Sequence, residues 1–234
     1  MLRIVLLATL SVVTAMAQNP KPIFDGRLTL RPAKLSASEE KLFAGKIVLD
    51  ARNAWRKRER EPVCESGFRP VALDVASGAF TTPNAAQKAI LYKYCTFGHN
   101  MALDGIAIIE NDQVIAHILF EGGENNAIGA LPDINGNGLA EMVIAGGATN
   151  QGITSGWISL IEIVAGGVTR LGQIETYSDD CGGDENHCKT TASRISVVSG
   201  KTPAFYRESF VNKKSSGAVP IALDKDQVQY ELLQ

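Results

Sequence analysis

The chain has 234 residues, of which 45% are hydrophobic and 21% are charged, and its formal net charge is −2. A chain of this length can form one sizeable domain or two small ones. Its weak acidity argues against a nucleic-acid-binding protein, because such proteins normally present a basic face.

The first 17 residues have the pattern of a secretory signal peptide. Arg3 gives a positive start, residues 4–13 form an apolar run, and residues 15–17 have the small-x-small form of a cleavage site. The run is too short to span a bilayer. We therefore expect cleavage after Ala17 and a bacterial protein that is secreted or periplasmic, with no stable membrane insertion once the signal has been removed.

An amphipathic helix is predicted after an irregular, Pro-rich segment at 18–35, in which one short strand is expected around 28–30. Ser36 and Glu39 form a capping box, which places the start of the helix near Ala37. The helix is predicted to run over 37–60, because apolar residues follow at four-residue spacing: Phe43, Ile47, Ala51 and Trp55. Residues 36–234 are then expected to form a single β-rich domain that begins with this helix.

From Cys64 onward, short apolar runs are separated by Gly, Asn and Asp, which is typical of strands and turns. The clearest hairpin pairs 105–110 with 113–121 through the two-residue turn Asn111-Asp112. Further strands are predicted at 89–96, 142–145, 157–164, 168–177, 194–199, 204–210 and 220–233. This spacing predicts a mainly β fold, antiparallel, either partial-propeller-like or a sandwich, with one N-terminal amphipathic α-helix.

The chain contains four cysteines, Cys64, Cys95, Cys181 and Cys188. An even number in an exported chain favours two disulfides, for which three connectivities are possible. Cys181 and Cys188 enclose a short polar loop, so we favour that pair and, with it, the pair Cys64–Cys95. Buried free thiols are the alternative.

The segment 133–141 has the spacing of a calcium loop. Asp133, Asn135, Asn137 and Glu141 stand at positions 1, 3, 5 and 9, and Gly138 stands at position 6. Calcium takes six to eight oxygen ligands, and short side chains on alternate residues of a tight loop can supply them. An EF-hand loop requires a carboxylate at position 12, which is Ile144 here, so an EF-hand is excluded.

The shorter pattern resembles the calcium loop of FG-GAP and VCBS-type repeats, the blades of integrin-like β-propellers, over residues 116–145. In that family the loop runs directly into a strand. The resemblance implies calcium bound by the side-chain oxygens of Asp133, Asn135 and Asn137, the backbone carbonyl of Leu139 and the carboxylate of Glu141. The sequence departs from the family in having Asn at position 5, Glu at position 9 and one clear copy of the repeat. A metal-free Asn-Gly turn is the alternative.

A second acidic loop spans 179–188. Four acids in it could form another cation site, although a solvated charged loop is the alternative because their spacing fits no standard ligand pattern: Asp179, Asp180, Asp184 and Glu185. Two polar, Gly-rich loops are predicted at 122–126 and 146–152, where they flank the calcium motif and could lie on one rim of a sheet. Trp157 would then be either an aromatic contact for a ligand or a core residue.

No complete catalytic motif accompanies these loops. His99 and Asp104 could form a base and its orienter, but a structural histidine in a turn is favoured, and no residue is assigned a catalytic role. We expect a calcium-binding module, with structural calcium, that binds an unknown protein or glycan ligand and no nucleic acid. The alternatives are a secreted hydrolase that uses the Gly-rich and acidic loops, and a modulator that binds another exported protein.

Overall fold

A computed structural model describes residues 19–57, 64, 66–97, 101–182, 188–225 and 228–233. Some sequence predictions concern residues outside these ranges: the signal peptide at 1–17, the proposed end of the helix at 58–60, His99, Asp184 and Glu185. The described part of the chain contains no helix that is both long and apolar enough to cross a membrane.

The N-terminal helix consists of Ala37–Leu42 (α1), a π-helical segment Phe43–Ile47 and Val48–Arg56 (α2). The predicted capping box is present, because Ser36 Oγ accepts from Glu39 N at 3.4 Å and Glu39 Oε2 accepts from Ser36 N at 2.7 Å. The apolar stripe then packs on a sheet. α2 ends at Arg56, with Lys57 as its C-cap.

The strands follow in chain order: β1 Lys21–Asp25, β2 Val71–Gly78, β3 Gln87–Phe97, β4 Met101–Glu110, β5 Gln113–Gly122, β6 Asn125–Ala130, β7 Met142–Asn150, β8 Ile153–Val164, β9 Gly167–Asp179, β10 Thr190–Val198, β11 Ala204–Val211, β12 Lys214–Ile221 and β13 Tyr230–Leu233. One sheet has the order β12-β11-β10-β9-β8-β7-β6, with β1 paired to β10. The other has the order β13-β5-β4-β3-β2. The described residues therefore form a mainly antiparallel β fold with one N-terminal helix, which confirms the predicted fold class.

Three buried clusters hold these layers together. The first lies between the two sheets and combines side chains such as Ile106 and Phe120 with Met142 and Ile161. The second covers the other face of the larger sheet. The third joins the smaller sheet to the helix through Ile47, Ala51 and Trp55. The apolar stripe of the helix thus has the partner that its spacing required.

The local turn and disulfide predictions are confirmed. Asn111 and Asp112 both have positive φ, 50° and 58°, as a two-residue hairpin turn between β4 and β5 requires. Cys64 pairs with Cys95 and Cys181 pairs with Cys188.

Several strand predictions were wrong in position. The N-terminal strand lies at Lys21–Asp25 rather than at 28–30, and it pairs with β10. The predicted strand 220–233 is divided between β12 and β13, which belong to different sheets.

The Gly-rich stretch 146–152, predicted as a loop, is mostly part of strand β7. Small residues there allow β7 to lie close to its neighbour, since a β carbon on Gly147 would lie 2.8 Å from the Ser155 carbonyl oxygen.

Candidate metal centre

The predicted calcium loop connects β6 to β7, two neighbouring strands of the larger sheet. Leu131 N donates to the Glu141 carbonyl oxygen at 2.8 Å, which closes the base of the loop. Ile134 is fully buried in the core and anchors the middle of the segment. Gly136 and Gly138 have φ of 83° and 90°, a backbone conformation that favours glycine. The spacing of small and polar residues thus produces a compact loop with buried supports.

The carboxylate of Asp133 organises the backbone of this loop. Its Oδ1 accepts from Gly136 N at 2.6 Å and from Asn137 N at 3.2 Å, and its Oδ2 accepts from Gly138 N at 2.7 Å. Burial opposes the charged form, but the amides of Gly138, Gly136 and Asn137 outweigh it and lower the pKa of Asp133. Asp133 is therefore held as an anion at the centre of a ring of N–H donors.

The side chains at positions 3 and 5 have a common arrangement. Asn135 Oδ1 accepts from Asn137 N at 3.1 Å, and Asn137 Oδ1 accepts from Leu139 N at 2.9 Å. Both amide oxygens therefore turn back toward the loop backbone, as in Asx turns. Their Nδ2 groups point away from these contacts, toward a carboxylate on another strand.

That carboxylate belongs to Glu162 of β8, which sequence analysis did not single out. Asn135 Nδ2 donates to Glu162 Oε2 at 3.1 Å, and Asn137 Nδ2 donates to Glu162 Oε1 at 2.5 Å. Glu162 is only 3% exposed. The sequence does contain one signal for Glu162, which is the single acid inside the apolar run of residues 158–164. A charge buried in such a run needs a hydrogen-bonding or ionic partner, so its presence indicates a polar contact elsewhere in the fold.

The acid at position 9 is the most unusual group of the site. Glu141 is fully buried; its Oε2 accepts from Ile134 N at 3.0 Å, and within the described residues its Oε1 has no hydrogen-bond partner. Burial above all, and then the nearby carboxylates of Glu162 and Asp133, raise the pKa of Glu141 to about 7. An unpaired buried carboxylate oxygen beside two other acids is costly unless a cation compensates the charge.

The donor set fits a hard cation such as calcium. The loop offers carboxylate oxygens from Asp133 and Glu141 together with amide oxygens, and a third acid, Glu162, lies beside them. Among the described residues, ligand atoms of Asp179, Cys181 and Cys188 lie within 4.8 Å of one another. The carboxylates of Asp133, Glu141 and Glu162 do not all lie that close together. Leu139, the predicted carbonyl ligand, is half-buried within the same turn.

Two further contacts join the loop to its surroundings. Ala140 N donates to the Ala79 carbonyl oxygen at 2.8 Å, which connects the loop to the segment between β2 and β3 of the smaller sheet. Gly200 N donates to the Ile134 carbonyl oxygen at 2.8 Å, which connects it to the turn between β10 and β11. The candidate site therefore lies where both sheets meet.

The second acidic loop has a different arrangement. Asp179 Oδ1 accepts from Cys181 N at 3.0 Å, and its Oδ2 accepts from the Tyr177 hydroxyl at 3.1 Å. Asp180 Oδ1 accepts from Lys189 N at 2.5 Å. The sulfurs that lie beside Asp179 form the disulfide Cys181–Cys188, so they offer no thiolate to a metal. In the described part of this loop, local donors already occupy the acids.

The segments proposed to form a rim meet at a buried acid. Asn125 Nδ2 donates to Asp104 Oδ2 at 2.8 Å. A β carbon on Gly146 would lie 3.1 Å from Asn125 Oδ1 and from Trp157 Nε1, so all three residues adjoin. Asp104 is fully buried, and burial raises its pKa to about 7. Asp104 Oδ2 is thus bonded to Asn125, while Asp104 Oδ1 has no hydrogen-bond partner within the described residues.

The described histidine, His117, has a structural setting. Its Nε2 lies 2.5 Å from the Tyr92 hydroxyl, and the Tyr92 ring crosses β4 at Gly105, where a β carbon would lie 2.2 Å from that hydroxyl. His117 is 4% exposed, and burial lowers its pKa to about 4. Glycine at position 105 is therefore required for the contact between β3 and β5.

Comparisons of the chain with protein-family models, with curated proteins and with solved structures find no match. The similarity to FG-GAP and VCBS-type repeats stays a prediction from residues 116–145. The chemistry of the loop is therefore the basis on which a function can be assigned.

Proposed function

We propose that this protein is an exported calcium-binding module in which calcium is structural and stiffens the junction of the two sheets. The observation that carries the proposal is Glu141. Its carboxylate is buried, one of its oxygens has no partner within the described residues, and the acids of Asp133 and Glu162 lie near it. A divalent cation would neutralise this group of acids and supply the missing partner.

The ligands in this proposal are the side-chain oxygens of Asp133, Asn135, Asn137 and Glu141, with the carbonyl of Leu139. Calcium bound there would perform no chemistry; its charge would hold the loop against the connection at Ala79 and the turn at Gly200. Because binding to the folded state alone adds to stability, calcium should raise the free energy of unfolding.

The direct test is isothermal titration calorimetry of chelator-treated protein with calcium and, separately, with magnesium. We expect one calcium site per chain, with weaker magnesium binding because magnesium demands a smaller octahedral site. Asp133→Ala should abolish the calcium signal. Glu175→Gln, which removes an exposed acid of β9, is the matched control and should bind like the wild type. Wild-type protein that shows no heat of binding at millimolar calcium would refute the proposal.

The proposal also includes a partner, which is an exported protein or a glycan. The disulfides Cys64–Cys95 and Cys181–Cys188 support an oxidising compartment, in which such partners occur. Glycan-array and pull-down experiments with and without calcium test this part. A partner bound equally in both conditions would separate partner binding from the metal.

A further inference from the structure

Glu162 lies outside the calcium loop in sequence but contacts two of its side chains. It belongs to β8, which pairs with β7, the strand that the loop enters. Each oxygen of its carboxylate accepts one amide N–H, from Asn135 and from Asn137. A single buried carboxylate therefore accepts hydrogen bonds from the side-chain amides of both Asn residues.

These contacts determine which way each carboxamide faces. A planar amide that donates through Nδ2 toward Glu162 directs its Oδ1 to the opposite side. Both Oδ1 atoms accept backbone N–H groups there, from Asn137 and Leu139. Donor and acceptor contacts agree for both side chains, so the amide oxygens are held on the side of the loop backbone before any cation arrives.

We propose that Glu162 is a positioning residue for the calcium loop: it holds Asn135 and Asn137 with their oxygens directed toward the loop and its ligand. This inference rests on the proposed calcium site. Outer groups that orient metal ligands are a general requirement, and their loss typically costs about 10–100-fold in affinity. The proposal adds to the site a residue of β8 that lies outside the loop 133–141.

The same contact explains the choice of Asn at two loop positions. An Asp at position 135 or 137 would place a second carboxylate against buried Glu162, where no N–H would bridge the two charges. An Asn supplies the ligand oxygen on one side and the N–H donor on the other. The Asn residues, including the one that departs from the FG-GAP pattern, are therefore matched to the acid on β8.

Calcium affinity of Glu162→Gln tests the inference, because Gln can accept through one oxygen and must release one of the two amides. We expect calcium affinity to fall by about tenfold in calorimetry. Glu175→Gln removes the same formal charge from β9 and should stay within about twofold of the wild type. Equal affinities of Glu162→Gln and wild type would overturn the inference and leave the calcium proposal intact. A wild type that binds no calcium would instead refute the site itself.

A charge exchange distinguishes positioning from a merely structural role. Asn137→Asp alone should lower the melting temperature of the metal-free protein, since two carboxylates would then face each other. Adding Glu162→Gln to it should restore that temperature, because the Gln amide can donate to the new Asp. Rescue of both the metal-free stability and the calcium affinity supports the proposal. A double variant that shows the sum of the two single losses would contradict it.

Discussion

Two acidic loops of this protein differ in the burial and the hydrogen-bond partners of those acids that the structure describes. The loop 133–141 and the loop 179–188 both combine acids with Gly and Asn, and the sequence made each a candidate cation site. At the first loop, Glu141 and the neighbouring Glu162 of β8 are buried, and the charges of Glu162 and Asp133 act on Glu141. In the second, Asp179 and Asp180 accept hydrogen bonds from nearby N–H and O–H groups.

Burial and hydrogen-bond partners, rather than the number of acids, are therefore the features on which we propose a metal site at the first loop. Hydrogen-bonded acids occur in both loops, since Asp133 accepts three backbone N–H groups just as Asp179 and Asp180 accept nearby donors. An acid that is buried, such as Glu141, retains a desolvation cost that a cation can offset. The arrangement of partners and the burial of the acids distinguish the two loops.

The largest expected effect is the change in the free energy of unfolding that calcium causes, which should depend on the first loop and not on the second. Saturating calcium, at about 100 times the dissociation constant, should add about 2.7 kcal/mol to the free energy of unfolding. Asp133→Ala should remove this increment, whereas Asp180→Asn should retain it. Urea unfolding with calcium and with chelator measures both. Loss of the increment in Asp180→Asn would show that the second loop takes part in calcium binding.

A smaller effect concerns pH in the metal-free protein. Burial, and then Glu162 and Asp133, raise the pKa of Glu141 from 4.5 to about 7. As pH rises, the unfolded chain loses the Glu141 proton at a lower pH than the folded protein does, because the folded pKa is the higher one. The contribution of Glu141 to the free energy of unfolding therefore falls as pH rises from about 4.5 to about 7. Glu141→Gln should therefore match the wild type near pH 4 and exceed it by on the order of 1 kcal/mol near pH 8.

Urea unfolding of both proteins across this pH range, in chelator, measures the difference. Asp104 and His117 also have displaced pKa values, but they are present in both proteins and cancel in the comparison. Equal pH dependence of the unfolding free energy in the two proteins would show that the pKa of Glu141 is not raised in the folded state.

The smallest expected effect is in the second loop. Asp179→Asn keeps one acceptor oxygen and removes one of two hydrogen bonds, so we expect a loss below about 1 kcal/mol. The loss should be the same with calcium and with chelator, because Asp179 is expected to bind no metal. A loss that appears only in calcium would reverse the distinction between the loops.

Much of the local structure was predictable because its interactions span few residues. The capping box at Ser36, the turn at Asn111-Asp112 and the short disulfide Cys181–Cys188 each join groups close in sequence. The Gly-rich segment after Gly146 was misread as a loop, since glycine permits both a turn and a close strand contact. Neighbouring strands, rather than the segment itself, decide between the two.

By itself, the sequence determined the β-rich class, the covering helix and the spacing of oxygen donors from Asp133 to Glu141, because periodicity and turn chemistry act over a few residues. Only the tertiary structure decided that β12 and β13 join different sheets. It alone brought Glu162 to Asn135 and Asn137 and buried Glu141 beside two other acids. Those contacts depend on strand pairing and burial, which join residues far apart in the chain.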